Sequence, residues 1–290
     1  MQELVNFTDM RHPEWIKVKT TGTHGTRKIL RDHGVSTVCE EARCPNQGKC
    51  FSSSTATFMI LGDRCTRDCS FCAVKSDKPL AVDPDEPERI ADASLQLGLT
   101  YVVITSVSRD DLPDGGAGHF AETISAVRSK NKAAKIEVLT PDFKGVSEDI
   151  GVVLSARPDV FNHNIETVPR LYSRVRPQAD YQTSLDVLKR AREICPEITT
   201  KSGIMLGLGE REQEVLDVMK DLRQSDCDFL TIGQYLQPRK LNIPVVDYIH
   251  PDIFEKYRGT GLAMGFKAVA SSPLTRSSMH AGEMFYKNEK

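Results

Sequence analysis

Thr55-Ala-Thr-Phe-Met-Ile-Leu61 leads, after three residues, into Cys65-Thr-Arg-Asp-Cys69-Ser-Phe-Cys72. The first stretch is short, apolar and β-branched, the composition of a buried strand. The second sets three thiols in a C-x3-C-x2-C loop just past that strand. A strand that ends on a loop carrying chemistry is the opening unit of an α/β fold, with its site at the C-terminal ends of the strands.

Downstream, the alternation repeats. Pro87 to Leu97 predicts a helix stopped by Gly98, and Thr100 to Ser106 predicts a buried strand. Helix over His119 to Lys130, strand over Lys135 to Thr140, helix over Val146 to Ala156 and strand over Pro158 to Asn162 follow. Tyr181 to Ile194 places Leu185, Leu188, Ala191 and Ile194 on one helical face. Ile198 to Met205 is a strand, Arg211 to Arg223 a helix, Asp228 to Gln234 a strand and Ile253 to Met264 a helix, with a short strand over Lys267 to Ala270. About six strand–helix units in succession argue for a parallel sheet with crossover helices. The expected fold is α/β: a partial (β/α)6 TIM-like barrel with N-terminal and C-terminal extensions, a doubly wound sheet being the alternative. The expected division is an extension over 1–54, the barrel over 55–271 and a terminal segment over 272–290. Before residue 55 the chain reads as irregular.

With 290 residues, the chain can bury a sizeable core. A net charge of -2 excludes a strongly basic nucleic-acid binder and an acidic tail. No apolar run approaches the roughly 18 residues of a spanning helix. The start, Met1-Gln2-Glu3-Leu4-Val5, lacks the basic and apolar regions of a signal peptide. A cytoplasmic protein without membrane or nucleic-acid partners is expected.

Eight cysteines stand at 39, 44, 50, 65, 69, 72, 195 and 227, and six of them fall within 34 residues. Disulfide frameworks belong to short secreted chains, so ligation is the better reading. Structural zinc takes four ligands, usually from two close pairs, and fits three thiols poorly. Three thiolates suit a four-iron cluster with its fourth iron open. Cys39-Glu-Glu-Ala-Arg-Cys44-Pro-Asn-Gln-Gly-Lys-Cys50 is a second triad, C-x4-C-x5-C, and a second cluster is the economical reading. Cys195 and Cys227 are isolated and read as small buried hydrophobes.

C-x3-C-x2-C with aromatic Phe71 before its last cysteine, after the first strand of a βα series, resembles the signature of the radical S-adenosylmethionine (SAM) superfamily. That resemblance implies an open iron that binds the amino and carboxylate groups of SAM, and reductive cleavage to a 5′-deoxyadenosyl radical. The order C-x4-C-x5-C, then C-x3-C-x2-C, then Arg276-Ser277-Ser278-Met279 near the C-terminus resembles the lipoyl synthase family. Met279 departs from that family's tyrosine and leaves both serines intact.

The resemblance implies a sulfurtransferase that inserts two sulfur atoms at C6 and C8 of a protein-bound octanoyl chain. It implies two [4Fe-4S] clusters: one on Cys65, Cys69 and Cys72, the other on Cys39, Cys44, Cys50 and Ser278 and serving as the sulfur source. Ser277 is the alternative fourth ligand, and plain solvated surface is what two tail serines would mean elsewhere. Implied partners are an octanoylated lipoyl carrier domain or glycine-cleavage H protein, and an electron donor such as ferredoxin or flavodoxin.

Four further stretches resemble the family: Thr105 to Gly116, Phe161 to Thr167, Lys201 to Glu210 and Gly233 to Pro238. They supply Thr105, Ser106, Asn164, Glu166, Lys201 and Glu210 as candidate SAM contacts beside Phe71. Asn164 and Glu166 can bond ribose hydroxyls, and Lys201 can neutralise a carboxylate as a point charge. Any one of them could instead be a turn or cap residue. His163 reads equally as a site donor or a structural histidine. A methylthiotransferase, a two-cluster electron carrier and a zinc module are the rival classes. The first normally adds an RNA-binding domain, and the second uses four cysteines per cluster.

Overall fold

The structure is a computed structural model that describes residues 13–17, 23–52 and 56–288. Thr55, the Met1–Val5 stretch and the last two residues lie outside them, so the expectations resting there have no structural counterpart.

The upstream extension is not irregular. It contains α1 (His24–Asp32), β1 (Ser36–Thr37), α2 (Val38–Glu41) and α3 (Gln47–Ser52). Then come β2 (Thr57–Ile60), β3 (Arg64–Cys65), β4 (Lys75–Ser76), α4 (Glu86–Gln96), β5 (Tyr101–Ser106), α5 (Ala117–Lys130), β6 (Lys135–Leu139) and α6 (Ser147–Ser155). The second half holds β7 (Val160–Asn162), α7 (Tyr172–Val175), α8 (Tyr181–Ile194), β8 (Thr199–Leu206), α9 (Glu212–Gln224), β9 (Phe229–Gln234), α10 (Pro251–Ala263), β10 (Ala268–Ser271) and α11 (Ala281–Asn288).

The main sheet runs β1-β2-β5-β6-β7-β8-β9-β10. All of its pairs are parallel except β1 on β2, where Ser36 faces Met59. β2, β5, β6, β8 and β9 send residues into one cavity and the stretch just after β7 adds His163 and Asn164, so the sheet curves around it. These six strands, each followed by a helix, form the expected partial barrel, and β10 adds a seventh parallel strand at the far edge. A small parallel pair, β3 and β4, stands apart and frames the cysteine loop between them.

Local chemistry explains the element ends. Asp180 caps α8 by accepting the Thr183 N–H at 2.8 Å, and Leu185, Leu188 and Ala191 are its buried face. Pro87 sits in the first turn of α4, and Gly98 ends it at φ +65°. The buried Glu86 carboxylate accepts the Leu61 N–H at 2.7 Å and lies 2.8 Å from His119 Nε2, tying the end of β2 to α4 and α5. At Gly116, φ is +92° and a Cβ would stand 2.3 Å from Leu61 Cδ1, so only glycine lets α5 start there.

Two apolar clusters fill the space between strands and helices. One gathers β2, β5 and β6 with α4, α5 and α6 around Phe58, Phe120 and Ile136. The other gathers β8 and β9 with α8, α9 and α10 around Leu206, Met219 and Phe254. Phe285 of α11 packs with Val160 and Phe229. Among the described residues, no helix is long and apolar enough to cross a membrane.

Phe120 is fully buried and meets Phe143 edge-on, with ring centroids 6.2 Å apart. Phe120→Ala is therefore expected to cost about 3–5 kcal/mol in denaturant unfolding. Asp180→Ala removes one cap and is expected to cost about 1 kcal/mol. Equal losses for the two would contradict this partition of the core.

Candidate active site

The strand ends enclose a cavity of about 540 Å³, in the range of small-molecule sites. Cys65, Cys69 and Cys72 line one part of it, Cys39 and Cys44 another, and Ser278 completes the lining. Cys50 lies just behind, half-buried on α3.

The Cys65 loop is fixed by charge. Buried Arg67 donates from Nε and Nη2 to the two Asp110 oxygens at 2.8 and 2.9 Å. It donates from Nη1 and Nη2 to the two Asp142 oxygens at 2.6 and 2.7 Å. Such double forks fix both distance and plane. Burial opposes ionisation of Asp142, but the Arg67 hydrogen bonds and charge outweigh it and hold the carboxyl at about 2. Thr66 Oγ1 adds bonds to Ser108 O and Asp110. From the other side, Asn242 Nδ2 donates to Ser70 O at 3.1 Å and Cys72 O at 2.7 Å.

The donor set suits an iron–sulfur cluster. Cys65 Sγ accepts the N–H groups of Arg67 at 3.4 Å and Ser108 at 3.3 Å, and Cys72 Sγ accepts that of Val74 at 3.4 Å. Hydrogen bonds to sulfur are a protein's lever on cluster potential. Burial, backed by repulsion from the neighbouring thiols, pushes Cys72 up to about 12. Burial likewise pushes Cys69 up to about 11, with Arg176 pulling the other way. Burial and the Cys44 and Cys50 charges push Cys39 up to about 12, and Cys50 is raised mainly by burial too. Among the described residues no three His, Cys, Asp or Glu converge closely enough to hold a single metal ion. A four-iron cluster gives each thiolate its own iron and needs no common point.

The two serines differ. Ser277 Oγ donates to Asn164 Oδ1 at 2.9 Å and lies 3.5 Å from Thr231 Oγ1. The Ser278 hydroxyl has no hydrogen-bond partner among the described residues and lines the cavity.

Asn164, Glu166, Phe71, Thr105 and Ser106 all line the cavity. Asn164 Nδ2 donates to Glu166 Oε1 at 3.0 Å. Glu166 takes a left-handed φ of +65°, unusual for a side-chain-bearing residue. Burial raises its carboxyl, against the pull of Arg176 and the Asn164 bond. Thr105 Oγ1 is committed to Leu139 O at 2.9 Å, whereas Ser106 Oγ is buried without a partner among the described residues. Lys201 and Glu210 do not face the cavity. Glu210 accepts the Gly207 and Leu208 N–H groups at 2.5 and 2.9 Å, and Lys201 is buried against Glu137 at 2.8 Å. Glycine is required at Gly207 (φ +98°), where a Cβ would stand 2.1 Å from Gln234 Nε2.

Sequence reasoning missed Arg67, Arg176, Asn46 and Asp142. A charge inside the first cysteine loop, needing a counter-ion, was the available signal for Arg67. Nothing local marks Arg176, which donates to Asn164 O at 3.0 Å from a buried position. His163 makes a structural hydrogen bond and also lines the cavity. Its Nδ1 lies 2.9 Å from Thr140 O, which makes it the N–H donor, and Nε2 is buried with no partner among the described residues.

A family profile described as "Radical SAM superfamily" matches residues 59–222. The chain is 55% identical over 94% of its length to a lipoyl synthase of Caldanaerobacter subterraneus subsp. tengcongensis, of which it covers 96%. It is 52% identical over 97% of its length to a lipoyl synthase of Alkaliphilus metalliredigens, covering 98% of that protein. The fold is similar to the crystal structure of methylornithine synthase (TM-score 0.54, 14% identity), covering 84% of this chain and 74% of that one.

Burial, then the Arg176 charge, lowers the His163 imidazole to about 4. The unfolded chain takes up that proton near 6.5, the folded chain not until about 4. The stability from a neutral His163 is present above pH 6.5 and is lost as pH falls towards 4. Between pH 7 and 4.5 the apoprotein is expected to lose about 2–3 kcal/mol more than a His163→Gln variant in denaturant titrations. Equal losses would mean that the folded imidazole titrates normally.

Proposed function

The chain belongs to the lipoyl synthase family of the radical SAM superfamily, and on that footing we propose that its two cysteine triads serve one cavity in distinct roles. The enzyme inserts two sulfur atoms at C6 and C8 of a protein-bound octanoyl chain, using two [4Fe-4S] clusters and SAM as co-substrate. The bound groups supply reductive SAM cleavage at one cluster and sulfur at the other.

Cys65, Cys69 and Cys72 hold the SAM-binding cluster; Cys39, Cys44, Cys50 and Ser278 hold the auxiliary one. The observation that carries this assignment is the single cavity lined by members of both triads and by Ser278. Ser278 is favoured over Ser277 because the Ser277 hydroxyl is already bonded to Asn164. Asn164 and Glu166, joined at 3.0 Å, are the pair for ribose hydroxyls, and Phe71 and Ser106 stand beside them. Neutral His163 Nε2 offers an acceptor to a bound donor. Thr105 contributes as a wall, Glu210 by shaping the Gly207 turn, and Lys201 through the tail rather than through SAM.

Met59, Leu139, Ile204, Met205 and Leu236 give the cavity apolar lining. An octanoyl chain presents only C–H bonds at C6 and C8, so apolar walls and positioning are what the protein must supply. Residues 1–54 then carry the auxiliary triad, 55–271 the barrel and 272–290 the serine ligand. The octanoyl group arrives on a carrier protein, which we infer to be a lipoyl domain or glycine-cleavage H protein. A one-electron donor of the ferredoxin or flavodoxin type fits the same chemistry. We place the enzyme in a reducing, cytoplasmic compartment, free of nucleic-acid and membrane partners, because six thiols must stay available for iron.

Reconstituted protein, SAM, dithionite and an octanoyl-lysine peptide, reacted anaerobically for a single turnover, test the assignment by peptide mass. Two sulfur atoms are expected on the peptide. Cys39→Ala should still cleave SAM yet add no sulfur, and Cys69→Ala should do neither. Sulfur insertion by Cys39→Ala would overturn the auxiliary role.

A further inference from the structure

Lys201 is a cation inside the barrel, where layers of branched apolar side chains are normal. It and Glu137 are each 1% exposed, with Nζ 2.8 and 3.0 Å from the two carboxylate oxygens. Tyr101 Oη donates to Glu137 Oε2 at 2.8 Å and Asn162 Nδ2 to Oε1 at 3.0 Å. Four adjacent strands, β5 to β8, thus each supply one member. A buried ion pair gains little net stability over apolar packing, because both charges must be desolvated. Something other than stability accounts for it.

The third donor of the ammonium supplies that something. Lys201 Nζ donates to Ser277 O at 2.6 Å. That carbonyl belongs to the planar peptide joining Ser277 to Ser278, so fixing its direction fixes where the Ser278 Cα points. The surrounding segment, 272–280, lies outside every helix and strand, and its backbone bonds to β9 hold only its start, Ser272 N–H to Ile232 O at 3.1 Å and Gln234 N–H to Pro273 O at 3.2 Å. Its other fastenings agree. Ser277 Oγ bonds Asn164, and Asn46, between Cys44 and Cys50, donates to Leu274 O at 2.6 Å and Met279 Sδ at 3.1 Å. Two strand glycines leave room for it. A Cβ on Gly203 would stand 2.9 Å from Ser277 Oγ, and one on Gly233 would stand 2.2 Å from Thr275 O. Glycine weakens a strand interior and marks the close approach of another backbone.

We propose that the buried Lys201–Glu137 pair is a positioning device that docks residues 274–279 into the barrel and aims the Ser278 hydroxyl into the cysteine-lined cavity. Met279, where the family has tyrosine, takes part as the acceptor of the Asn46 bond. The proposal rests on Ser278 being the auxiliary-cluster ligand, and its docking half stands apart from that assignment.

Two variants test it. Lys201→Met with Glu137→Gln removes both charges together and leaves neither unpaired. Lys201→Arg keeps the charge but replaces a point ammonium by a planar fork that does not reproduce the Ser277 bond. On full-length apoprotein, amide hydrogen exchange over 274–280 should speed up at least tenfold in the double variant, with exchange over 181–194 unchanged. With the other triad replaced by alanine, the reduced auxiliary cluster of the double variant should give the electron paramagnetic resonance spectrum of Ser278→Ala. Parental exchange over 274–280 together with the parental spectrum would overturn the proposal. Should the double variant fail to unfold cooperatively, Lys201→Arg decides by the same two readouts. If Ser278→Ala keeps the parental spectrum, the ligand assignment fails, and the exchange result alone decides the docking role.

Discussion

Parallel pairing is the constraint from which the rest of the molecule follows. A parallel ladder demands that every strand run the same way, so each chain return must cross over by a helix and every strand C-terminus opens at one rim. The stretches after β2, β5, β7 and β9 meet there for that reason alone. The upstream triad does not follow a parallel strand. It follows β1, whose antiparallel pairing ends beside the start of β2 with Thr37 facing Phe58, and Thr37 then caps α2, accepting the Glu40 N–H at 3.3 Å. Cys39 lies in that first turn and lines, with Cys44, the same cavity as Cys65.

Segments that carry ligands have little regular structure of their own, so they need fastening from outside. Buried charge does this twice. Arg67 pins the Cys65–Cys72 loop to Asp110 and Asp142, which follow β5 and β6. Lys201 and Glu137 hold the tail through a backbone carbonyl. Apolar packing could fill either place at lower desolvation cost, but it is non-directional and would not aim a loop. Asn46 joins the two halves of the auxiliary site, linking a cysteine loop to a tail 228 residues away.

Much of the scaffold was legible because its signals are local. Tyr181–Ile194 ends where it should and buries Leu185, Leu188 and Ala191 as read, although Ile194, read onto the same face, is exposed; Tyr101–Ser106 is too continuously apolar to be anything but a buried strand. The short upstream helices escaped notice for an equally local reason. Helix α1 buries only Thr26 and Leu30, so no apolar stripe marks it. Helix α11 looked like tail because its anchor, Phe285, packs on Val160 and Phe229 from distant strands. Lys201 was read as a ligand contact because it opens a stretch that resembles the family and could neutralise a carboxylate; the carboxylate it does neutralise lies 64 residues upstream.

By itself, the sequence determined the order of strands and helices, the two cysteine sets and the serine pair, since periodicity and spacing are properties of a few consecutive residues. Tertiary structure alone decided which charges neutralise one another inside the barrel, and which serine hydroxyl is bonded to Asn164. It also decided that Asn164 and Glu166 face the cavity while Lys201 and Glu210 turn away from it. Those outcomes depend on how the folded sheet brings its loops together, where residues 43 to 228 positions apart become neighbours. Hydrogen bonds and ion pairs act over a few ångströms of space, and distance along the chain does not enter into them.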